Sequence, residues 1–127
     1  MSEIVLDASA VLALIFDEPG AERFTAEMLD RSVLSAVNLA EVQTKLLKKG
    51  YSPEEAWEDA QSLARIESFP TEQARIAGNL LLKTEKFGLS LGDRSCLALA
   101  IALRAPVYTT EKIWRKLEIG IPIHVIR

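Results

Sequence analysis

At 127 residues, with 49% hydrophobic and 26% charged residues, the chain has the size and composition of one globular domain spanning residues 1–127. Its net charge of −3 argues against passive binding to nucleic acid through a basic surface, but not against an enzyme that meets phosphates through a bound cation. The start MSEIVLD lacks the pattern of a signal peptide, the longest apolar run (residues 96–103) is far short of the ~20 residues that cross a bilayer, and the single cysteine leaves no disulfide within the chain, so a cytoplasmic protein is expected.

In chain order, IVL (4–6) reads as a first strand and ASAVLALIF (8–16) as the helix behind it. PGAERFTAEMLD (19–30) reads as a second helix and SVLS (32–35) as a second strand. Residues 37–49 read as a helix closed by two lysines and Gly50, a good C-terminal signal. SPEE (52–55) offers a serine cap, a proline in the first turn and a glutamate three residues after the serine, so another helix starts there. RIESF (65–69) reads as a third strand ended by Pro70, and Thr71 as the cap of a long helix reaching about Phe87, with Gly88 behind it. SLGD (90–93) opens a helix through Leu103, PVYTT (106–110) is strand-like, EKIWRKL (111–117) is a short helix and IPIHVI (121–126) the last strand. Helices alternate with strands that are apolar throughout, which indicates a parallel sheet covered on both faces. The expected architecture is an α/β/α sandwich, helix-rich, with four or five short strands and no repeat or linker.

Four acids fall where such a fold has little structural use for them. In an open parallel sheet, ligands bind outside the carboxyl ends of the strands. Asp7 directly follows IVL and Glu111 follows VYTT, so both occupy such ends. Asp93 lies in the first turn of its helix, and Glu41 one or two turns into the helix after SVLS. Four carboxylates at one rim suit hard divalent cations, which take oxygen ligands. Each acid also has a plainer reading. Asp7 is a favoured N-cap, Asp93 completes a capping box with Ser90, and Glu111 favours a helix dipole. On a helical wheel Glu41 lies opposite the apolar face of Leu39, Val42 and Leu46, beside Lys45, as a solvated acid would. The only histidine, His124, lies in the last strand-like run and reads as an edge residue, which leaves serine or cysteine nucleophiles without a base. Cys96 reads as a small buried hydrophobe.

Taken together, IVLDASAVLALI (4–15), NLAEV (38–42), LSLGDRSCLALAIAL (89–103) and VYTTEKIW (107–114) resemble the PIN-domain ribonucleases, and among them the VapC-type toxins of toxin–antitoxin pairs. The resemblance spans essentially the whole chain with the motifs in the family's order. It implies an α/β/α domain whose acids bind Mg²⁺ or Mn²⁺ and hydrolyse RNA. By motif, Asp7 matches the family's first acid, Glu41 the second, Asp93 the third and Glu111 the fourth. Asp7 and Asp93 are then the main metal ligands, Glu41 binds metal or orients water, and Glu111 supports a second ion or a metal-bound water. The fourth acid is commonly Asp, whereas here it is Glu, one methylene longer. Ser9 and Thr109 match hydroxyl positions beside the acids. Family membership further implies an antitoxin that occludes the site, and a homodimer; the apolar residues around Trp57 and Leu63 are this chain's own candidates for such contacts. Arg94, Lys112 and Arg115 are expected near the rim, as phosphate ligands or solvated charges. Two other readings compete on sequence. A phosphorelay receiver needs an acid after its third strand, where this chain has Pro70 and Thr71. A degenerate PIN domain acting only as an RNA- or protein-binding module would have lost an acid, and all four positions are acidic here.

Overall fold

The computed structural model describes residues 2–127. Five short strands form one sheet: β1 (Ile4–Leu6), β2 (Ser32–Ser35), β3 (Arg65–Glu67), β4 (Val107–Thr109) and β5 (Ile123–Val125), in the order β3-β2-β1-β4-β5. Every pairing is parallel, with Val5 opposite both Val33 and Val107. Strand side chains alternate between faces, so β1 serves two cores. Ile4 and Leu6 join Leu34, Val11, Val42 and Leu46 on one side, while Val5 joins Val33, Val107, Leu97 and Trp114 on the other. Helices α1 (Ala8–Ile15), α3 (Ala36–Lys48) and α4 (Pro53–Ala60) supply the first core; α7 (Leu91–Leu103) packs on α5 (Thr71–Asn79) over the second. Burial on both faces is why the strands are apolar throughout. The α/β/α expectation therefore holds, with five strands.

Two helices depart from their sequence expectation. Residues 19–30 divide into a 3₁₀ turn (Ala21–Arg23) and a five-residue α2 (Ala26–Asp30). Thr25 causes the break: its side chain accepts from the Met28 N–H as an N-cap, which starts a helix afresh. The stretch expected as one helix from 71 to 87 divides into α5, α6 (Leu81–Thr84) and a 3₁₀ turn (Glu85–Phe87). The break follows Gly78 and Asn79, both weak helix formers, and Thr84 Oγ1 donates back to the Leu80 carbonyl at 2.8 Å. Thr71 is the first helical residue, not the cap. Pro70 holds the cap position without a side-chain bond.

The order β3-β2-β1-β4-β5 has its switch point between β1 and β4, where successive connections leave in opposite directions and a crevice opens at the strands' carboxyl ends. Asp7 directly follows β1 and Thr109 ends β4. The helices that follow β1 and β2 also begin at this rim, so their positive ends face it.

Candidate functional site

A cavity of about 130 Å³ opens at the switch point, lined by Asp7, Glu41, Asp93 and Glu111 together with Ser9, Asn38 and Lys45. All four acids singled out in the sequence meet there, although they come from four separate segments.

Asp7 is buried and tightly held. Its Oδ1 accepts from the Ser9 hydroxyl (2.7 Å) and the Ala10 N–H (2.9 Å), and its Oδ2 from the Thr109 hydroxyl (2.8 Å). Asp7 is thus the N-cap of α1 and a rim acid at once. The two readings of its sequence position do not compete. An ionised carboxylate offers about four lone-pair sites, and three are filled here, which leaves one on Oδ2. Burial pushes the Asp7 pKa up from 3.8 to about 6. Hydrogen bonds from Ser9, Ala10 and Thr109 partly oppose the rise, and the nearby Asp93 charge adds to it. Ser9 and Thr109 are further braced by the Thr110 N–H, which donates to Ser9 Oγ (3.0 Å), and the Glu111 N–H, which donates to Thr109 Oγ1 (3.0 Å). Those bonds tie the chain at the end of β4 to the start of α1 and carry Glu111 to the cavity wall.

Asp93 also does two things. The Ser90 N–H donates to its Oδ2 (2.9 Å) and its own N–H to Ser90 Oγ (3.1 Å), completing the capping box of α7. No protein donor among the described residues reaches its Oδ1.

Glu41 corrects the helical wheel. It is half-buried, its Oε1 accepts from Asn38 Nδ2 at 2.7 Å, and no ion pair to Lys45 forms within 4 Å among the described residues. The wheel gave α3 one apolar face, but α3 also packs against α7. That second contact lays the first turn of α7 over Glu41.

Two residues of this site went unremarked in the sequence. Asn38 is 1% exposed and donates both to Glu41, on its own helix, and to the Gly92 carbonyl (3.0 Å), which links α3 directly to α7. Gly92 leaves room for Glu41: a Cβ built there would stand 2.2 Å from Glu41 Oε2. The available signals were an Asn four residues before Val42, on the core side of α3, and a Gly inside a helical pattern, which marks a close approach.

Of the other residues read from the sequence, His124 is exposed on β5 and stacks on Tyr108 at 4.7 Å. Cys96 is buried, and desolvation holds its thiol protonated. Arg94 donates to the Ala77 carbonyl (2.9 Å) and straps α7 to α5. Lys112 and Arg115 are exposed and do not line the cavity. Trp57 is exposed, whereas Leu63 packs against the first core.

The donor set is all oxygen: Glu41 and Asp93 each have one tethered oxygen and one free of protein donors among the described residues, and Asp7, held at both oxygens, keeps a spare lone pair on Oδ2. Such a set suits hard cations. Among the described residues, no three acidic, histidine or cysteine side chains already stand gathered about a common point, so closing on an ion requires the carboxylates to turn inward. None of the described helices is long and apolar enough to cross a membrane.

Solved structures share this fold. DNA-bound VapBC from Salmonella typhimurium superposes with a TM-score of 0.75 at 17% identity, covering 97% of each chain. VapBC2 from Rickettsia felis, bound to a promoter DNA fragment, gives 0.73 at 20% identity over 94% of this chain and 96% of that one. VapC20 of Mycobacterium tuberculosis, described as a sarcin–ricin loop cleaving toxin, gives 0.67 at 18% identity over 94% and 99%. At these identities the likeness speaks for the fold. No protein of curated function matches the sequence. A family model for the PIN domain matches residues 4–120, in keeping with the strand order and the rim of acids, and the chain belongs to the PIN domain family.

Proposed function

We propose that the chain is a metal-dependent endoribonuclease toxin of VapC type, hydrolysing phosphodiester bonds in RNA and held inactive by a cognate antitoxin. The observation that carries this reading is the convergence of Asp7, Glu41, Asp93 and Glu111 on one cavity at the sheet's switch point. The match to VapBC folds and the sarcin–ricin loop cleaving relative support it.

The residues fit Mg²⁺ or Mn²⁺: the donors are oxygens, and a cation in the cavity would offset the cost of an ionised, buried Asp7. Asp7 and Asp93 would hold it, with Glu41 beside them and Glu111 at the exposed edge. When bound, the ion supplies Lewis acidity, lowering the pKa of water and taking up charge that develops on phosphate oxygens. The chain's own residues set the geometry. Ser9, Ala10 and Thr109 fix the Asp7 carboxylate, Ser90 fixes one oxygen of Asp93, and Asn38 fixes one oxygen of Glu41. Glu41 and Glu111, through oxygens that no protein donor among the described residues holds, would orient water. His124 takes no part, since it does not border the cavity.

The same reading includes a homodimer in the cytoplasm and an antitoxin that covers the cavity mouth, using exposed apolar side chains such as Trp57. Expression in cells tests it. Wild-type protein should arrest growth, and co-expression of the antitoxin should relieve the arrest. The Asp7→Asn variant, at equal soluble levels, should be harmless. If the two chains slow growth equally, or not at all, the toxin reading fails.

A further inference from the structure

A second hollow of about 280 Å³ continues the acid cavity. The two share Ser9, Leu12, Lys45 and Glu111, and the second adds Phe16, Glu18, Lys49, Thr110 and Arg127. Glu41, Lys45 and Lys49 follow one another at four-residue spacing, so they form a row along one side of α3 with a rise of about 6 Å per step. The row starts at an acid of the site and runs outward through two cations. Neither Lys45 nor Lys49 has an ion-pair partner among the described residues. The Lys49 ammonium rides 5.6 Å above the Phe16 ring, and Arg127 is already paired with Glu18 at 3.1 Å.

We propose that this groove is the track for the RNA strand on one side of the cleaved linkage, with Lys45 and Lys49 holding successive phosphates. The proposal rests on the ribonuclease reading and adds where the substrate lies. Its physical need is plain. The chain carries a net charge of −3 and concentrates four acids at the cavity, so a polyanion approaching them meets repulsion unless cations stand beside them. Lysines spaced along a helix answer this, because phosphate contacts supply affinity independent of base sequence. A rival lies elsewhere: a hollow of about 580 Å³ carries Lys83, Lys86 and Lys116 with Glu85 and Glu118, the same balance of charge as the groove, but none of the four site acids borders it. That hollow serves as the internal control.

The test is binding of a labelled single-stranded RNA of about 16 nucleotides, in EDTA so that nothing is cut, across a salt series. Each phosphate contact on a single strand contributes about 0.7 to the slope of log K against log salt, so Lys45→Gln with Lys49→Gln should lower the slope by about 1.4. Both lysines are exposed, so the double variant should melt as wild type does. With Mg²⁺ restored it should cut with a raised KM and an unchanged kcat. Lys83→Gln with Lys86→Gln should keep the wild-type slope. Equal slopes in the two double variants overturn the proposal. So does an unchanged RNA slope together with lost binding of a labelled poly-glutamate peptide, which would assign the groove to an acidic protein. If wild type cuts RNA and the Lys45/Lys49 variant keeps its slope, only the track is refuted. If wild type cuts no RNA with Mg²⁺, the ribonuclease reading falls and the track with it.

Discussion

Gly92→Ala separates the needs of the site from those of the fold. Gly92 lies in the first turn of α7 with an ordinary helical backbone, so alanine adopts its conformation without strain. In an exposed helix this change typically gains about 0.5–1 kcal/mol. Here the new methyl would stand 2.2 Å from Glu41 Oε2 and 2.7 Å from Oε1. Ordinary contact begins near 3.4 Å, so the carboxylate must retreat by about 1.2 Å (3.4 − 2.2). It is the far end of a flexible side chain and half-buried, so it can swing away, at the cost of the Asn38 bond, about 0.5–1.5 kcal/mol. Gain and cost nearly cancel. Stability should stay within ~1 kcal/mol of wild type, or roughly 3–5 °C in Tm for a chain of this size. Activity should not survive so well, because a displacement of about 1 Å at a catalytic group costs on the order of 10²-fold. The assays are thermal melting and RNA cleavage with Mg²⁺. Gly78→Ala, in α5 with open space around its new methyl, controls for helix propensity and should keep full activity. Wild-type cleavage by Gly92→Ala would refute the claim that Glu41 must occupy the place Gly92 leaves for it.

Asp93→Asn keeps an oxygen that can accept from the Ser90 N–H, so its metal-free Tm should fall by less than full loss of a cap would cause, which is ~0.5–2 kcal/mol. The same variant should lose most of the stabilisation by Mn²⁺, which for an intact site is ~2.7 kcal/mol at a hundredfold excess over Kd; an undiminished gain returns Asp93 to the cap alone. The raised Asp7 pKa gives a pH signature with a definite sign. The folded protein holds this proton more tightly than the unfolded chain (about 6 against 3.8), so this group's contribution to stability is full below pH 3.8 and is lost as pH rises through 6. Denaturant melts of the metal-free proteins should therefore show Asp7→Asn gaining on wild type by about 3 kcal/mol from the acid end of that window to the neutral end. A constant gap would mean that burial does not control Asp7.

What sequence made legible, and what it hid, follows from the reach of each interaction. Ser52 and Ser90 cap their helices through bonds that span three residues, so both boxes could be read directly. Asp7 and Glu111 could be placed because both follow apolar strands whose ends define the rim. Thr25 and the Gly78–Asn79 pair act just as locally, but the apolar periodicity runs on across both breaks and masks them. Glu41 was the instructive failure. Its burial depends on α7 crossing α3, a contact between residues 41 and 92 that no wheel for one helix contains. The family resemblance puts Glu41 at the cleft, and Glu41 does line the cavity, because the family's pattern carries that tertiary contact implicitly. Asn38 and Gly92 share the cause, since each has meaning only against the other helix.

The most direct test of the central claim is cleavage of RNA by the purified wild-type protein in excess EDTA, followed by restoration of Mg²⁺ or Mn²⁺, with Asp7→Asn beside it. The account predicts no cleavage in EDTA, full recovery when the ion is restored, and no cleavage by Asp7→Asn under either condition. Cleavage that persists undiminished in EDTA, or that Asp7→Asn retains, would contradict it.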